Sequence, residues 1–422
     1  MHVMERVLLI TNIQSHILSF PTGQRTRYNM FSGLAKETKV LIVVVLTDES
    51  IFGLGEGNPY YAWIYDNYFL CEKIKRQLRG RNVPAAIEIL QELQRKYESL
   101  SDFDYAPFLA LESALLDIEG RLHKNSLSDE LGGSKRKKVP VCGTIFLDSP
   151  DNMAKRAIDW ISKDVTHLKV KICGLTKIDE KNLKRIHDVI EKETIVRIDA
   201  NQAYKTPEKA LGALKKFEKF GVSIIEQPLR YHDLDGFRKL RKRTNIQIMV
   251  DESLTNTRDI ELISSKEAAD IINFHPPKLG CLTKTKEAIK KTMELGLDFM
   301  IGSGVMTGIG VAEHLHLASS LEKLPYPLEE VGIHEMFGMD IVLNPFKIEK
   351  GCLRVPADYG LGIKLDKANF NKFCVDIPFT TSIHLQTVRT VTSFFPYRIK
   401  SEILTFFERL RKNKARTSKL QF

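Results

Sequence analysis

Six charged residues recur along the middle of the chain, each within or directly after a short apolar run: Lys169, Lys171, Asp199, Glu226, Asp251 and Lys278. From Lys171 onward, successive members are 28, 27, 25 and 27 residues apart. Acids and lysines are rarely buried unless they are paired or bind a metal ion. Three acids at matching positions therefore predict a metal site, and their oxygen ligands suit Mg²⁺ first and Mn²⁺ second.

The lysines on either side of these acids suggest proton chemistry. Lys169 and Lys171 are two residues apart on a predicted strand, so their side chains point the same way. Neighbouring ammonium groups disfavour each other's charge, which lowers the pKa of a lysine and makes it a usable base. Lys278 follows two repeat units after Glu226, so a proton could be removed on one side of the metal and returned on the other. Two solvated lysines on an exposed strand are the alternative, but the alternating apolar residues of this strand argue against it.

The spacing of the six residues reflects alternating strands and helices. Short β-branched runs predict strands at 141–146, 166–173, 194–200, 222–227, 246–252, 270–276 and 297–303, with amphipathic helices between them. This alternation predicts a parallel sheet. Because neither a GxGxxG motif after the first strand nor a P-loop is found, a nucleotide-binding sheet is disfavoured. A (β/α) barrel, whose active sites lie at the carboxyl ends of the strands, accounts better for the position of the charged residues.

Composition is that of a globular protein, with 422 residues, of which 43% are hydrophobic and 27% charged. The longest apolar run is much shorter than a membrane helix requires, and the first apolar stretch is too short for a signal peptide. The six cysteines are scattered without a CxxC pair, which is typical of reduced thiols and predicts a cytoplasmic protein. Much of the net charge of +10 lies between residues 398 and 419.

Five motifs carry a resemblance to a known family: KVKICG (169–174), RIDANQAY (197–204), IIEQP (224–228), VDES (250–253) and PPKLG (276–280). They resemble the muconate lactonizing enzyme subgroup of the enolase superfamily, within its mandelate racemase and muconate lactonizing enzyme family, and are most similar to dipeptide epimerases. The resemblance implies an α/β fold with a modified TIM barrel, (β/α)7β. It also implies an α+β capping domain that is built from the N-terminal region and a C-terminal segment.

This resemblance divides the chain into four parts. They are the capping domain (1–138), the barrel (139–326), a segment that closes the barrel and returns to the capping domain (327–366), and a basic C-terminal extension (367–422). The extension contains a possible terminal helix. We expect this helix to be solvated or packed against the barrel. The alternative is that it contacts a membrane surface or nucleic acid.

The resemblance also implies a role for each central residue. Asp199, Glu226 and Asp251 would bind Mg²⁺. Lys171 and Lys278 would act as the acid/base pair, and Lys169 would stabilise the enolate. Asn201 and Glu252 would lie in or near the shell around the metal ligands.

Substrate contacts follow the family pattern less closely. Thr144 matches the dipeptide epimerases, but Thr307 or Met306 takes the place of their acid after the seventh strand, within the run GSGVMTGIG that also contains Ser303. The Asp-x-Asp pair after their eighth strand is absent, and Glu329 or Glu330 could substitute for it. Arg25 and Glu56 lie in the predicted capping loops. His275 lies near Lys278 and could line the site.

The expected activity is that of a Mg²⁺-dependent racemase or epimerase that abstracts the proton α to a carboxylate, on a dipeptide or an N-acyl amino acid. The alternatives are a dehydratase or lyase like o-succinylbenzoate synthase, a cycloisomerase, and a non-catalytic barrel protein that binds through its basic tail. The expected partner is a small-molecule carboxylate substrate and not nucleic acid. A homo-oligomer without a transmembrane segment is expected.

Overall fold

The computed structural model describes residues 7–21, 37–59, 64–98, 105–330 and 332–375, and of Glu330 the backbone only. The strands of these segments are β1 (Ile10–Pro21), β2 (Glu37–Thr47), β3 (Phe52–Gly57), β4 (Lys138–Ile145), β5 (His167–Lys171), β6 (Ile195–Asp199), β7 (Val222–Glu226), β8 (Gln247–Val250), β9 (Ile271–Phe274), β10 (Asp298–Ile301), β11 (Leu328–Glu330), β12 (Cys352–Arg354) and β13 (Cys374–Val375).

The helices of the same segments are α1 (Ile64–Leu78), α2 (Val83–Glu98), α3 (Ala106–His123), α4 (Leu127–Glu130), α5 (Pro150–Ile161), α6 (Thr176–His187), α7 (Pro207–Phe217), α8 (Leu234–Arg241), α9 (Arg258–Ser265), α10 (Pro276–Leu279), α11 (Leu282–Glu294), α12 (Gly308–Ser320), α13 (Ile333–Phe337) and α14 (Lys367–Phe373). A short 3-10 helix spans Glu218–Phe220. Among the described residues, no helix has the length and apolar character that crossing a membrane requires.

The N-terminal region forms an antiparallel sheet with the order β13-β1-β2-β3. Its last strand is contributed from the far end of the described chain, where β13 pairs with β1 through Ile17 and Val375. The helix α14 and the strand β13 lie at the start of the predicted C-terminal extension (367–422), after the segment (327–366) that was expected to return to the N-terminal region. The predicted domain boundaries stay predictions, and the possible terminal helix of the extension lies outside the described residues.

Three glycines let this sheet lie directly on α3. A Cβ atom at Gly53 or Gly55 would come within 1.9 Å of a backbone oxygen of α3, and one at Gly57 within 2.4 Å. The alternating glycines share one face of β3, and α3 offers alanines at every fourth position there, namely Ala106, Ala110 and Ala114. The close packing fixes β3, and Glu56 on it, against the rest of the molecule.

The remaining strands form the parallel sheet that the sequence predicts. Its order is β10-β9-β8-β7-β6-β5-β4-β11, so neighbours along the chain are neighbours in space until β11 returns to β4. The short strand β12 adds to β4 in antiparallel fashion. Beyond the two ends of this order, Ser303 donates a hydrogen bond to the carbonyl of Glu329 (2.8 Å), which joins the β10 side to the β11 side. Because all eight strands run the same way, their carboxyl ends lie at one rim.

Candidate active site

The three acids lie side by side at this rim. Asp199 and Glu226 are the last residues of β6 and β7, and Asp251 follows β8 directly. The register pairs Lys171 with Asp199 and Asp199 with Glu226, so the spacing seen in the sequence becomes one level of the barrel. All three acids are at most 1% exposed. Carboxylates buried this deeply need cationic partners or a metal ion.

Asp199 and Asp251, the outer two of the three acids, are each hydrogen-bonded to a lysine. Lys171 Nζ donates to Asp199 Oδ2 (2.6 Å) and to Asn201 Oδ1 (2.8 Å). On the other side, Lys278 Nζ donates to Asp251 Oδ1 (2.7 Å) and to the backbone carbonyl of the same residue (2.6 Å). Burial alone would raise the pKa of Asp199, but Lys171 and Lys169 outweigh it and lower that pKa to about 2. The carboxylate is therefore ionised at neutral pH.

Lys169 is surrounded by carboxylates. Its Nζ donates to both oxygens of Glu329 (2.8 and 3.0 Å) and lies 3.0 Å from Asp199 Oδ2. Burial opposes its charge, yet Glu226, Glu329 and Asp199 together raise the pKa of Lys169 well above its ordinary value. The sequence predicted that neighbouring lysines would lower each other's pKa. For Lys169 the opposite holds, because its nearest charges are acids.

Arg197 is a buried cation whose role the sequence reasoning missed. It lies on β6 two residues before Asp199 and is 3% exposed. Its guanidinium contacts Glu226 Oε2 (3.0 Å) and Glu329 Oε2 (2.9 Å). Since side chains on a strand alternate, its place two residues before a predicted ligand was the signal that could have found it. Arg197 and Lys169 together compensate the charges of Glu226 and Glu329.

The sixth barrel strand brings two further polar side chains to the acids. Asn273 Nδ2 donates to Glu226 Oε1 (2.8 Å), and His275 Nε2 lies 3.3 Å from Asp251 Oδ1. Both residues are at most 2% exposed. Burial lowers the pKa of His275 to about 4, so the imidazole is neutral at pH 7. The expectation that His275 lines the site agrees with this position.

The donor set fits a hard divalent cation. Glu226, Asp251 and His275 each offer a ligand atom within 4.8 Å of the others, and Asp199 lies beside Glu226 in the register. Glu252 is also buried, and its Oε2 has no hydrogen-bond partner. Burial, with Asp251 and Asp199 nearby, raises the pKa of Glu252 to about 8. Carboxylate oxygens that are crowded in this way suit Mg²⁺, which would offset their mutual repulsion.

The residues predicted to contact substrate lie in several places. Glu56 and Thr307 are paired with each other, since the backbone N–H and hydroxyl of Thr307 both donate to the Glu56 carboxylate. Ser303 and Glu329 are joined as described above, and both oxygens of Glu329 are held by cations. The Thr144 hydroxyl is buried without a hydrogen-bond partner. Arg25 lies outside the described residues.

Comparison with known families and proteins adds independent information. Residues 152–369, just over half of the chain, match the family described as enolase C-terminal domain-like. The chain is 25% identical over 371 residues to an N-succinyl-L-Arg/Lys racemase of Bacillus cereus, with 87% of this chain and 98% of that protein covered. It is 26% identical to a hydrophobic dipeptide epimerase of Enterococcus faecalis, with 83% and 98% covered.

A solved structure supports the architecture. The crystal structure of the muconate lactonizing enzyme from Pseudomonas fluorescens, complexed with muconolactone, superposes with a TM-score of 0.78 at 23% identity. The superposition covers 87% of this chain and 100% of the muconate lactonizing enzyme chain. The predicted α/β fold, a modified TIM barrel with an α+β capping domain, is thereby confirmed.

Proposed function

Because the chain belongs to the enolase C-terminal domain-like family and is an isomerase of the enolase superfamily, we propose that it is a Mg²⁺-dependent racemase or epimerase. It would abstract the proton α to a carboxylate and pass through an enolate intermediate. We propose a dipeptide or an N-acyl amino acid as substrate. Two of its relatives are named for such compounds.

The observation that supports this proposal best is that Asp199 and Asp251, the outer two of the three acids, are each hydrogen-bonded to a lysine. The strand order places β5, with Lys171, and β9, which leads to Lys278, on opposite sides of the three acid-bearing strands. A substrate held over the acids therefore has an acid/base group on either side. Inversion at a carbon needs this arrangement, because the proton leaves from one face and returns to the other.

Asp199, Glu226 and Asp251 would bind the metal ion. Asn201 and Glu252 would lie in or near the shell around these ligands. When bound, Mg²⁺ would bind the substrate carboxylate and neutralise the negative charge that develops as the proton leaves. Lys169 is fixed by Glu329 and Asp199, so its charge is already oriented and needs no rearrangement during the reaction.

Lys171 is better placed than Lys169 to exchange a proton with substrate. Its side chain is 12% exposed, whereas that of Lys169 is 3% exposed. Asn201 accepts a hydrogen bond from Lys171 and donates one to Glu252 (3.1 Å), which keeps the lysine pointed at the rim. Lys171 thus combines a fixed direction with access from outside the barrel.

Substrate specificity would come from residues around this centre. The unpartnered hydroxyl of Thr144 is a candidate hydrogen-bond donor, and Arg25 is a candidate partner for a second substrate carboxylate. Glu329 is held by Lys169 and Arg197, so it supports the catalytic lysine instead of binding a substrate ammonium group. This arrangement favours an N-acylated amino acid over a dipeptide with a free amino group.

The test is proton exchange at the α-carbon. The purified full chain is incubated in D₂O with Mg²⁺ and a panel of N-succinyl amino acids and dipeptides in both configurations, and the α-proton signal is followed by NMR. We expect the signal to disappear for both configurations of at least one compound, and only with the metal. Full retention of the α-proton across the panel would contradict the proposal. Lys171→Ala serves as the catalytic control.

A further inference from the structure

The short helix α10 contains Lys278, and the N-terminal region binds the main chain on both sides of that lysine. The backbone carbonyl of Pro277, directly before Lys278, accepts a hydrogen bond from the backbone N–H of Tyr105 (3.0 Å). The carbonyl of Leu279, directly after it, accepts one from the side-chain amide of Gln94. Both donors lie in the predicted capping domain, one on α2 and one directly before α3. Residues that precede the barrel in sequence therefore fix the backbone of this lysine.

The side chain of Gln94 is closely enclosed at this contact. It is 3% exposed, and its amide also donates to Glu98 Oε1 (3.0 Å), one turn further along α2. Glu98 in turn forms an ion pair with Lys284 of α11. A Cβ atom at Gly280 would collide with the Gln94 amide, so glycine leaves the space that the amide needs. Because both N–H groups of the amide are used, Gln94 is fixed in one orientation.

Lys171, on the opposite side of the three acids, is positioned by the barrel itself. It is the last residue of β5, which lies between β4 and β6, and its ammonium group donates to Asp199 and Asn201. The chain after Lys278 instead enters the core of the N-terminal region, where Cys281 packs among apolar side chains of α2 and α3. The two lysines thus depend on different parts of the molecule for their positions.

We propose that Gln94 is a positioning residue for Lys278, through which the N-terminal region places the acid/base group on one side of the substrate. This inference rests on the proposed function, in which Lys278 and Lys171 act on opposite faces of the α-carbon. The Gln94 amide holds the backbone next to Lys278, and so holds its ammonium group in reach of one face. A misplacement of about 1 Å can cost about 100-fold in rate, so loss of the contact should affect that face alone.

The first arm of the test measures proton exchange on each face. Gln94→Met keeps a similar volume but cannot donate a hydrogen bond, and Gln91→Met makes the same change at a half-buried position on the same helix. Lys278→Ala and Lys171→Ala identify the enantiomer that each lysine deprotonates. Exchange of N-succinyl-L-arginine and N-succinyl-D-arginine is followed by NMR in D₂O with Mg²⁺. Calorimetry measures Mg²⁺ affinity, and circular dichroism checks the fold.

The second arm tests the contact without substrate, by amide hydrogen exchange and mass spectrometry. The backbone N–H groups of Lys278 and Gly280 both donate within the turn that contains α10. In Gln94→Met, peptides that include them should exchange about 10-fold faster, because the turn has lost its anchor. The peptide that includes Ile172, directly after Lys171, should keep its wild-type rate.

We expect Gln94→Met to slow exchange of the enantiomer that Lys278→Ala also slows, by about 10-fold, and to leave the other within about threefold. Mg²⁺ affinity should match that of the wild type, because the three acids keep their places. Gln91→Met should match the wild type in every measurement. Gly280→Ala, which keeps Gln94 but sets a methyl group against its amide, should slow the same enantiomer as Gln94→Met.

Three results would overturn the inference. One is an equal loss for both enantiomers in Gln94→Met, which would give the amide a general structural role. Another is wild-type amide exchange at Lys278 and Gly280 in that variant. If the wild type exchanges neither enantiomer while it binds Mg²⁺, the proposed function fails for this substrate class, and a role of Gln94 in catalysis fails with it even where amide exchange shows the contact. If Gln94→Met does not fold, the same outcomes are read from Gly280→Ala.

Discussion

Buried acids occur in two regions of this protein, and the two regions compensate them differently. At the rim, Asp199 and Asp251 lie within 2.7 Å of lysine ammonium groups. Where β3 and α3 meet the barrel helices, Glu56 and Glu112 accept hydrogen bonds from backbone N–H groups at helix starts. Glu112 binds the first turn of α11 through Leu282 and Thr283, and Glu56 binds the start of α12.

The two groups of acids have different tasks: under the proposed function the rim acids take part in the reaction, whereas the interface acids stabilise the fold. Ion pairs at the rim keep the pKa of Asp199 low, so the acid stays charged and ready for a cation. At the interface between β3, α3 and the barrel helices, burial dominates and raises the pKa of Glu112 and Glu313. These acids join segments far apart in sequence, because each accepts a hydrogen bond from a backbone N–H of a distant segment. The same residue type would thus serve catalysis at the rim, under the proposed function, and assembly at the interface.

The largest expected effect comes from a rim acid. Glu226→Gln removes the charge of one proposed metal ligand, while Arg197 and Lys169 keep Glu329 as a partner, so the fold should survive. We expect proton exchange to fall about 1000-fold and Mg²⁺ affinity to weaken with it. NMR exchange and calorimetry measure the two effects. Glu313→Gln, an equally buried acid-to-amide change at the interface, is the control and should bind Mg²⁺ normally. Wild-type Mg²⁺ affinity in Glu226→Gln would exclude Glu226 as a ligand.

The next effect concerns stability and not activity. Glu112→Ala leaves the buried N–H of Leu282, and the N–H and hydroxyl of the partly buried Thr283, without their acceptor. We expect the free energy of unfolding to fall by about 3 kcal/mol, measured by chemical denaturation. Glu322→Ala removes an exposed acid that pairs with Lys135 in water, and should leave stability close to that of the wild type. Equal losses in the two variants would show that burial does not matter here.

The two regions also differ in how much the sequence predicted. The rim could be predicted because one strand-helix unit separates its members, and the parallel register turned that spacing into neighbours such as Lys171 and Asp199. The interface could not be predicted, since Glu112 and Glu56 find their partners 170 and 251 residues away. Glu56 and Thr307 were both expected to contact substrate. In the structure they contact each other, through a tertiary contact that no local pattern encodes, and their contact with substrate stays a prediction.

A pH experiment sharpens the contrast. Glu313 Oε1 accepts the backbone N–H of Glu56 (2.7 Å), and burial raises the pKa of Glu313 well above its ordinary value. Because the pKa of Glu313 is higher in the folded than in the unfolded state, its protonation stabilises the folded protein. This stabilisation is complete below about pH 4.3 and is lost as the pH rises toward the folded pKa. Glu313→Gln, which resembles the protonated acid, should therefore gain stability over the wild type by up to about 1.4 kcal/mol per pH unit in that window. Denaturation between pH 5 and 9 measures the difference, and a constant difference would contradict the prediction.

The smallest expected effect comes from a helix cap in water. Ser149 accepts a hydrogen bond from the backbone N–H of Asn152 (3.3 Å) at the exposed start of α5. Ser149→Ala should cost about 1 kcal/mol, because water can solvate the N–H that loses its partner. Glu112 performs the same task at α11, but Glu112 and Leu282 are fully buried, so water cannot replace the carboxylate as acceptor for the Leu282 N–H. If denaturation gave equal losses of unfolding free energy for Ser149→Ala and Glu112→Ala, helix capping alone would account for the effect of Glu112. Burial of that acid would then add nothing to the stability of the interface between β3, α3 and the barrel helices.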